Sequence, residues 1–169
     1  MIIRTEKVNL DSGVKGITIF VSLLVSVLGI GMPVYGIITA GRGSELYTYI
    51  SILFFVIICF VPVLMYAPKR IVITEDSLIL EKGIGKLVLP VSEISDIEEY
   101  GKCALGFRTI GSGGFMGYIG KFYNKDIGHY TAYVGNCSEM FLVRMRNGKK
   151  YMLSCNNYWS VVWQIRAML

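Results

Sequence analysis

Two long stretches of this chain contain no Asp, Glu, Lys or Arg, namely 16–41 and 46–68. Each is long enough for a membrane-spanning helix, which needs about 20 mainly apolar residues. The residues between them, Gly41, Arg42, Gly43, Ser44 and Glu45, are too few to do more than turn the chain back. The pattern predicts two antiparallel spans, 16–41 and 46–67, joined by an external loop over 42–45 and preceded by an arm over 1–15. A pair of buried core helices would overfill so small a domain, and a cleaved signal peptide would be shorter and closer to the start. Pro33 with Gly29, Gly31 and Gly36 makes the first span the less regular one and offers a small-residue contact face. In the second, Pro62 lies one turn from the exit, and Tyr47, Tyr49 and Tyr66 sit near the ends as an aromatic belt would.

Beyond Pro68, which closes the second helix, the period changes. Short β-branched and aliphatic runs at 71–74, 77–81 and 86–90 read as three strands, with a fourth over 94–100. From Met140 to Arg146 the residues alternate strictly, Phe141, Val143 and Met145 on one face and Leu142, Arg144 and Arg146 on the other. Asn147-Gly148 then signals a type I′ hairpin turn, with 149–154 returning as partner. Asn156 or Asn157 can cap a last helix on which Trp159, Val162, Trp163 and Arg166 recur at helical spacing, and its tryptophan face is expected to be buried. About seven short antiparallel strands and one terminal helix make a C-terminal domain over 68–169. Lipocalin-like and other small barrels also use many short strands; the single terminal helix favours a split barrel capped by that helix. A linker of only a few residues holds this domain against the end of the second span.

Composition agrees with this division. The chain of 169 residues is 53% hydrophobic with a mean hydropathy of +0.54, too apolar for a purely soluble domain. Its net charge of +5 is mostly downstream, where 13 of 17 basic and 9 of 12 acidic residues follow Pro68. That modest excess suits a domain beside anionic headgroups and lacks the dense basic stripe of a nucleic-acid binder. Arg4, Lys7, Lys15, Lys69 and Arg70 flank the outer ends of the spans against Arg42 in the loop, so both termini are expected on the cytoplasmic side. Cys59, Cys103, Cys137 and Cys155 lie far apart, which supports neither a zinc site nor a disulfide framework, and no metal or cofactor is expected.

Candidate chemistry concentrates in 106–133, GFRTIGSGGFMGYIGKFYNKDIGHYTAY. A Walker A loop ending at Gly120-Lys121 would need Gly at Phe115 and Ser or Thr at Phe122; a dinucleotide turn from Gly111 would need Gly at Met116. Both readings fail. Two remain. In one, the glycines allow positive φ and close approach in a long connection packed down by Phe107, Phe115, Tyr118 and Phe122. In the other, Phe115, Met116 and Tyr118 form an apolar tip beside Lys121 and Lys125 that rests on lipid or a partner. Arg108, Arg144 and Arg146 could gather an anionic group; His129, the only histidine, has no partner fixed by spacing. The spans hold no acidic residue suited to an ion path, which argues against a transporter.

The run Gly111, Ser112, Gly113, Gly114, Phe115, Gly117, Tyr118, Gly120, Lys121, Phe122, then Gly128, Tyr130, Thr131, Tyr133 and the Asn147-Gly148 hairpin, resembles the bacterial PH-domain family of small membrane-attached proteins. The resemblance implies a PH-like split barrel at the cytoplasmic face of a bacterial inner membrane and carries no agreed ligand. The expectation is thus a multi-pass membrane protein whose non-enzymatic module binds a protein partner, another copy of itself or lipid headgroups, and no nucleic acid. Arg108, Phe115, Tyr118, Lys121 and Lys125 are its expected contact residues. The alternative is a membrane-bound enzyme or enzyme subunit using 106–133.

Overall fold

A computed structural model describes residues 2–39, 43–101 and 105–169. Arg42, Gly41 and Cys103, which figure in the expectations above, lie outside the described residues.

Both apolar windows are helical, and the described helices are long and apolar enough to cross a membrane. The first begins at Ser12, earlier than the uncharged window, because the Asp11 carboxylate accepts the Val14 N–H at 2.7 Å and caps it. It runs as α1 (Ser12–Leu24), a π-helical stretch (Val25–Gly31) and α2 (Met32–Thr39), so the irregularity falls among the expected glycines. The second, α3 (Ser44–Tyr66), continues through Pro62. The pair packs antiparallel through the small residues of the first helix. A Cβ on Gly36 would lie 2.5 Å from the Tyr49 ring, and one on Gly29 would lie 3.2 Å from Val56. Tyr49 therefore fills the helix contact, apart from the interfacial belt assigned to it. Phe20, Leu23, Phe54 and Phe55 project outward and are exposed, as side chains that meet lipid would be.

Among the described residues ten strands form two sheets. The first is β1 (Ile2–Lys7), β2 (Pro68–Thr74), β3 (Ser77–Lys82) and β4 (Lys86–Pro90), in that spatial order. The second holds β5 (Ile94–Glu99), β6 (Phe107–Gly113), β7 (Tyr118–Asn124), β8 (Gly128–Val134), β9 (Met140–Met145) and β10 (Lys150–Ser154), in the order β5-β9-β10-β8-β7-β6. The helix α4 (Tyr158–Arg166) follows.

The strand count exceeds seven for two reasons. The arm over 1–15 supplies β1, which pairs antiparallel with β2 from Ile2↔Thr74 to Lys7↔Arg70. The glycine-aromatic segment, expected as a connection, is itself the three-stranded meander β6-β7-β8. Nor are all pairs antiparallel: β10 returns between β9 and β8 and runs parallel to β8, with Met152 opposite Ala132.

The alternation in β9 sorts two cores. Phe141, Val143 and Met145 join Ile71, Ile73, Leu78, Leu80 and Ile97 between the sheets, under Val161, Val162 and Ile165 of α4. Leu142 turns the other way into a second cluster with Phe122, Tyr130, Ala132, Val134 and Met152. The helix thus buries its valine and isoleucine face. Trp159 and Trp163, expected inside, are 59% and 72% exposed; the β-branched residues two and three positions on fit the inter-sheet gap in their place. Asn157 holds the N-cap position but makes no capping bond, its amide reaching the Glu6 carboxylate at 3.3 Å. The β9-β10 hairpin forms with a three-residue loop. Gly148 takes φ +81° while Asn147 stays out of the left-handed region, so the turn is type I with a glycine bulge and not type I′.

Because β1 covers the edge of β2 and Arg4 donates to the Ser160 hydroxyl at 2.5 Å, a fragment of residues 68–169 exposes a hydrophobic edge strand. It is expected to self-associate in sedimentation runs, whereas the same fragment with residues 2–9 joined ahead of Pro68 by a flexible linker stays monomeric.

Candidate functional site

The site is the meander β6-β7-β8, and its geometry begins with two facing glycines. Gly111 and Gly120 pair directly across β6 and β7, with φ of +124° and +130°. A Cβ on Gly111 would meet the Ile119 carbonyl oxygen at 2.0 Å, and one on Gly120 would meet the Ile110 oxygen at 2.1 Å. Only glycine permits strands this close with that backbone. The pair lies beside a register shift between Arg108 and Ile110.

The hairpin tip that follows, Gly114 to Gly117, reaches the helix pair. The Met116 amide donates to Thr18 Oγ1 of α1 at 2.9 Å. The Phe115 ring meets Phe60 of α3 edge-on at 5.4 Å between centroids. Within the tip, Ser112 Oγ donates to the Phe115 carbonyl at 2.7 Å. Three further bonds tie the same end of the domain. Gly83 N–H and Ile84 N–H, between β3 and β4, donate to the Ala67 and Met65 carbonyls at 2.9 and 2.8 Å, and Asp11 N–H donates to Gly135 at 3.0 Å. The Lys82 ammonium lies 4.8 Å from the Tyr66 ring and 5.7 Å from the Tyr133 ring, a cation–π bridge from β3 to α3 and β8.

The expected contact residues are divided by this arrangement. Phe115 is at the tip and half-buried on Phe60. Arg108 and Tyr118 line one face of the meander, in a shallow depression with Gly113 and Phe122. Lys121, which alternates with the core-facing Phe122 and Asn124, points to the opposite face beside Ile119 and Thr131. Lys125 is exposed at the turn into β8, at the other end of β7. Of the residues expected to pack the segment, Phe122 does so, stacked on Tyr130 at 6.0 Å, but Phe107 is 74% exposed on the edge strand. Arg144 is drawn away from any anion site by Glu98 and by Asp96 at 3.8 Å. His129 lies against the Tyr123 ring, 4.9 Å between centroids.

On the Lys121 face two grooves meet. One, of about 420 Å³, runs between Pro62, Val63 and Tyr66 of α3 and Ile110, Ile119 and Tyr133 of the sheet. The other, of about 520 Å³, is lined by Thr109, Lys121, His129, Lys149, Lys150 and Tyr151. Lys121 and Thr131 belong to both. The sequence carries part of this signal, since Lys149-Lys150 follows the hairpin turn, but the parallel β8-β10 pairing is what sets those lysines beside Lys121. Thr18 and Phe60 leave no trace in the sequence as partners of a tip about a hundred and about fifty residues downstream.

Burial shifts most strongly one group in each core, Tyr130 in the second and Cys155 in the first. Desolvation pushes the Tyr130 hydroxyl, which donates to the Leu105 carbonyl, up to about 12, and pushes the Cys155 thiol up to about 12. Nearby, Arg70 and then Lys86 hold the Glu81 carboxyl below its ordinary value.

The Bacterial PH domain model matches residues 69–167. The chain belongs to the bacterial PH-domain family. PH domains are generally non-catalytic interaction modules. No curated protein and no solved structure matches the chain. Within the family assignment, β1, the two helices and their contacts with the tip lie outside the matched span or join it to what lies outside.

Two outcomes check this geometry. Gly120→Ala must adopt positive φ and displace the Ile110 carbonyl, so it should destabilise the domain by at least about 2 kcal/mol, read as a lower thermal midpoint of the full chain. Tyr130 and Cys155 both have folded pKa values above their ordinary 10.0 and 9.0. Their stabilising effect is complete below pH 9 and is lost as pH rises towards 12, by about 1.4 kcal/mol per pH unit for each group in its window. Cys155→Ala should move the onset of alkaline destabilisation in denaturant titrations from near pH 9 to near pH 10.

Proposed function

We propose that this protein is a membrane-anchored, non-enzymatic PH-like interaction module of a bacterial inner membrane. Its two helices span the bilayer with both termini in the cytoplasm, and its barrel presents the Lys121 face at the cytoplasmic leaflet. The boundaries follow that reading: spans from Ser12 to Thr39 and from Glu45 to Tyr66, and a cytoplasmic domain from Pro68 onward completed by β1.

The observation that carries the proposal is the seating of the Phe115–Met116 tip on Thr18 and Phe60. Together with the single residue Ala67 between α3 and β2, it fixes the barrel's orientation to the helices. A free tether would give a partner no preferred approach; a fixed mount aims one face along the membrane surface. The pairing of β1 with β2 supports same-sided termini independently of the charge count, since the strands before and after the helix pair lie side by side. The positive excess at Arg4, Lys7, Lys15, Lys69 and Arg70 supports the cytoplasmic side. Lipid headgroups at that leaflet are the reading best matched by the Lys121 face, and Trp159, Trp163 and the β6 edge are left outward for a protein partner or second copy.

Phe115 therefore works as a mounting residue, and Phe115→Asp should unseat the barrel without expelling the helices. In native membranes, partners or lipids that copurify with the full chain should be lost from this variant while it remains in the membrane fraction. Retention of the full set by the variant would overturn the proposal, as would a turnover that persists in it. For sidedness, Ser138→Cys should react with an impermeant maleimide only after the membrane is opened, and Gly43→Cys before; the reverse pattern places the barrel outside.

A further inference from the structure

The two grooves on the Lys121 face are not separate. They share Lys121 and Thr131 and differ in chemistry along their length. The part against α3 is apolar, walled by Pro62 and Val63 of the helix and by Ile110 and Ile119 of the meander. The part farther along the sheet brings Lys121, Lys149, Lys150 and His129 together, and among the described residues no carboxylate lines it. Each has a volume in the range of about 300–1,000 Å³ that small-molecule pockets occupy.

Resting on the reading of the barrel as mounted at a membrane, we propose that this track holds one anionic phospholipid drawn from the adjoining leaflet. Its phosphate lies at Lys121 with Lys149, and the upper part of one acyl chain lies along Pro62 and Val63. Three features select that occupant. The apolar groove is bounded by the last turn of α3, the turn that would emerge from the hydrocarbon into the headgroup layer, so a chain enters it without crossing water. The cations lie on the side away from the helix, where a headgroup lifted from the layer would come to rest, and their charge favours an anionic head over a zwitterionic one. A soluble phosphate compound would use the lysines and leave the apolar groove wet; an apolar peptide would leave the lysines uncompensated. Only an amphiphile satisfies both halves.

Lys150 is less free than its neighbours, since its ammonium donates to the Ile127 carbonyl; Lys121 and Lys149 are the cations to test. The Lys82 ammonium sits by the rings of Tyr66 and Tyr133, both of which line the apolar groove.

The test uses the full chain in phosphatidylcholine nanodiscs containing a minority of phosphatidylglycerol, followed by native mass spectrometry after mild delipidation. One phosphatidylglycerol per chain should be retained. Retention should fall about tenfold or more in Lys121→Ser/Lys149→Ser, as removal of two cations from an anionic site implies. It should also fall in Val63→Trp, which fills the apolar half and leaves every charge in place. Inorganic phosphate added in excess should not displace the lipid. Equal retention of phosphatidylcholine, unchanged retention in both variants, or displacement by inorganic phosphate would each overturn the proposal. A chain that inserts into the nanodisc with its barrel seated, shown by a Thr18→Cys/Met116→Cys crosslink, yet keeps no lipid overturns this inference alone; a chain that neither inserts nor crosslinks overturns the mounted-module reading beneath it.

Discussion

The free carbonyls at the end of α3 govern where everything else in the domain can go. A helix leaves its last four carbonyls without intrahelical partners, and each must find a donor elsewhere. Here the β3-β4 turn supplies the N–H groups of Gly83 and Ile84 to the carbonyls of Ala67 and Met65 respectively. That contact, with β2 starting at Pro68, leaves the first sheet no freedom to swing. The second sheet then follows from the inter-sheet core, and its β6-β7 tip reaches α1 and α3 as a consequence. The barrel is therefore an extension of the helix pair and not a separate body hung from it.

Much of the architecture is legible in the sequence because the hydrophobic period is strong where burial is one-sided. The uncharged windows, the strict alternation beginning at Met140, the hairpin at Asn147-Gly148 (though not its turn type) and the terminal helix all read correctly as elements. What escapes is where local signals are weak or misleading. In β1 the alternation is faint, because Arg4 and Glu6 occupy the more buried positions of an edge strand and Ile2 and Ile3 are exposed. In α4 tryptophan size suggests the wrong inward face, when the narrow gap between sheets admits Val161, Val162 and Ile165.

The candidate site shows the same limit more sharply. Glycine depresses strand propensity, so a run with Gly111, Gly113, Gly114, Gly117 and Gly120 reads as a connection. Its strands exist because those glycines let two backbones approach beyond what any side chain would permit. Residue type identifies Phe115, Tyr118 and Lys121 as unusual in company but not which of them share a face. Pairing does, and the pairing depends on β10 entering between β8 and β9, a long-range event that no local window encodes.

That insertion also imposes an order in time. Strands β8 and β9 emerge before β10, so while the chain is being made they cannot adopt their final spacing, and the inner edges of both remain open until residue 154 has left the ribosome. Likewise β1 must wait, unpaired, while the helix pair is placed and β2 appears beside it. Non-local pairings of this kind close slowly, because loop entropy is lost before contacts repay it. The unfinished sheet is thus most exposed to wrong pairing until its late strands arrive. Early seating of β2 and β3 on α3 would shorten that interval by giving the late strands a surface already in place.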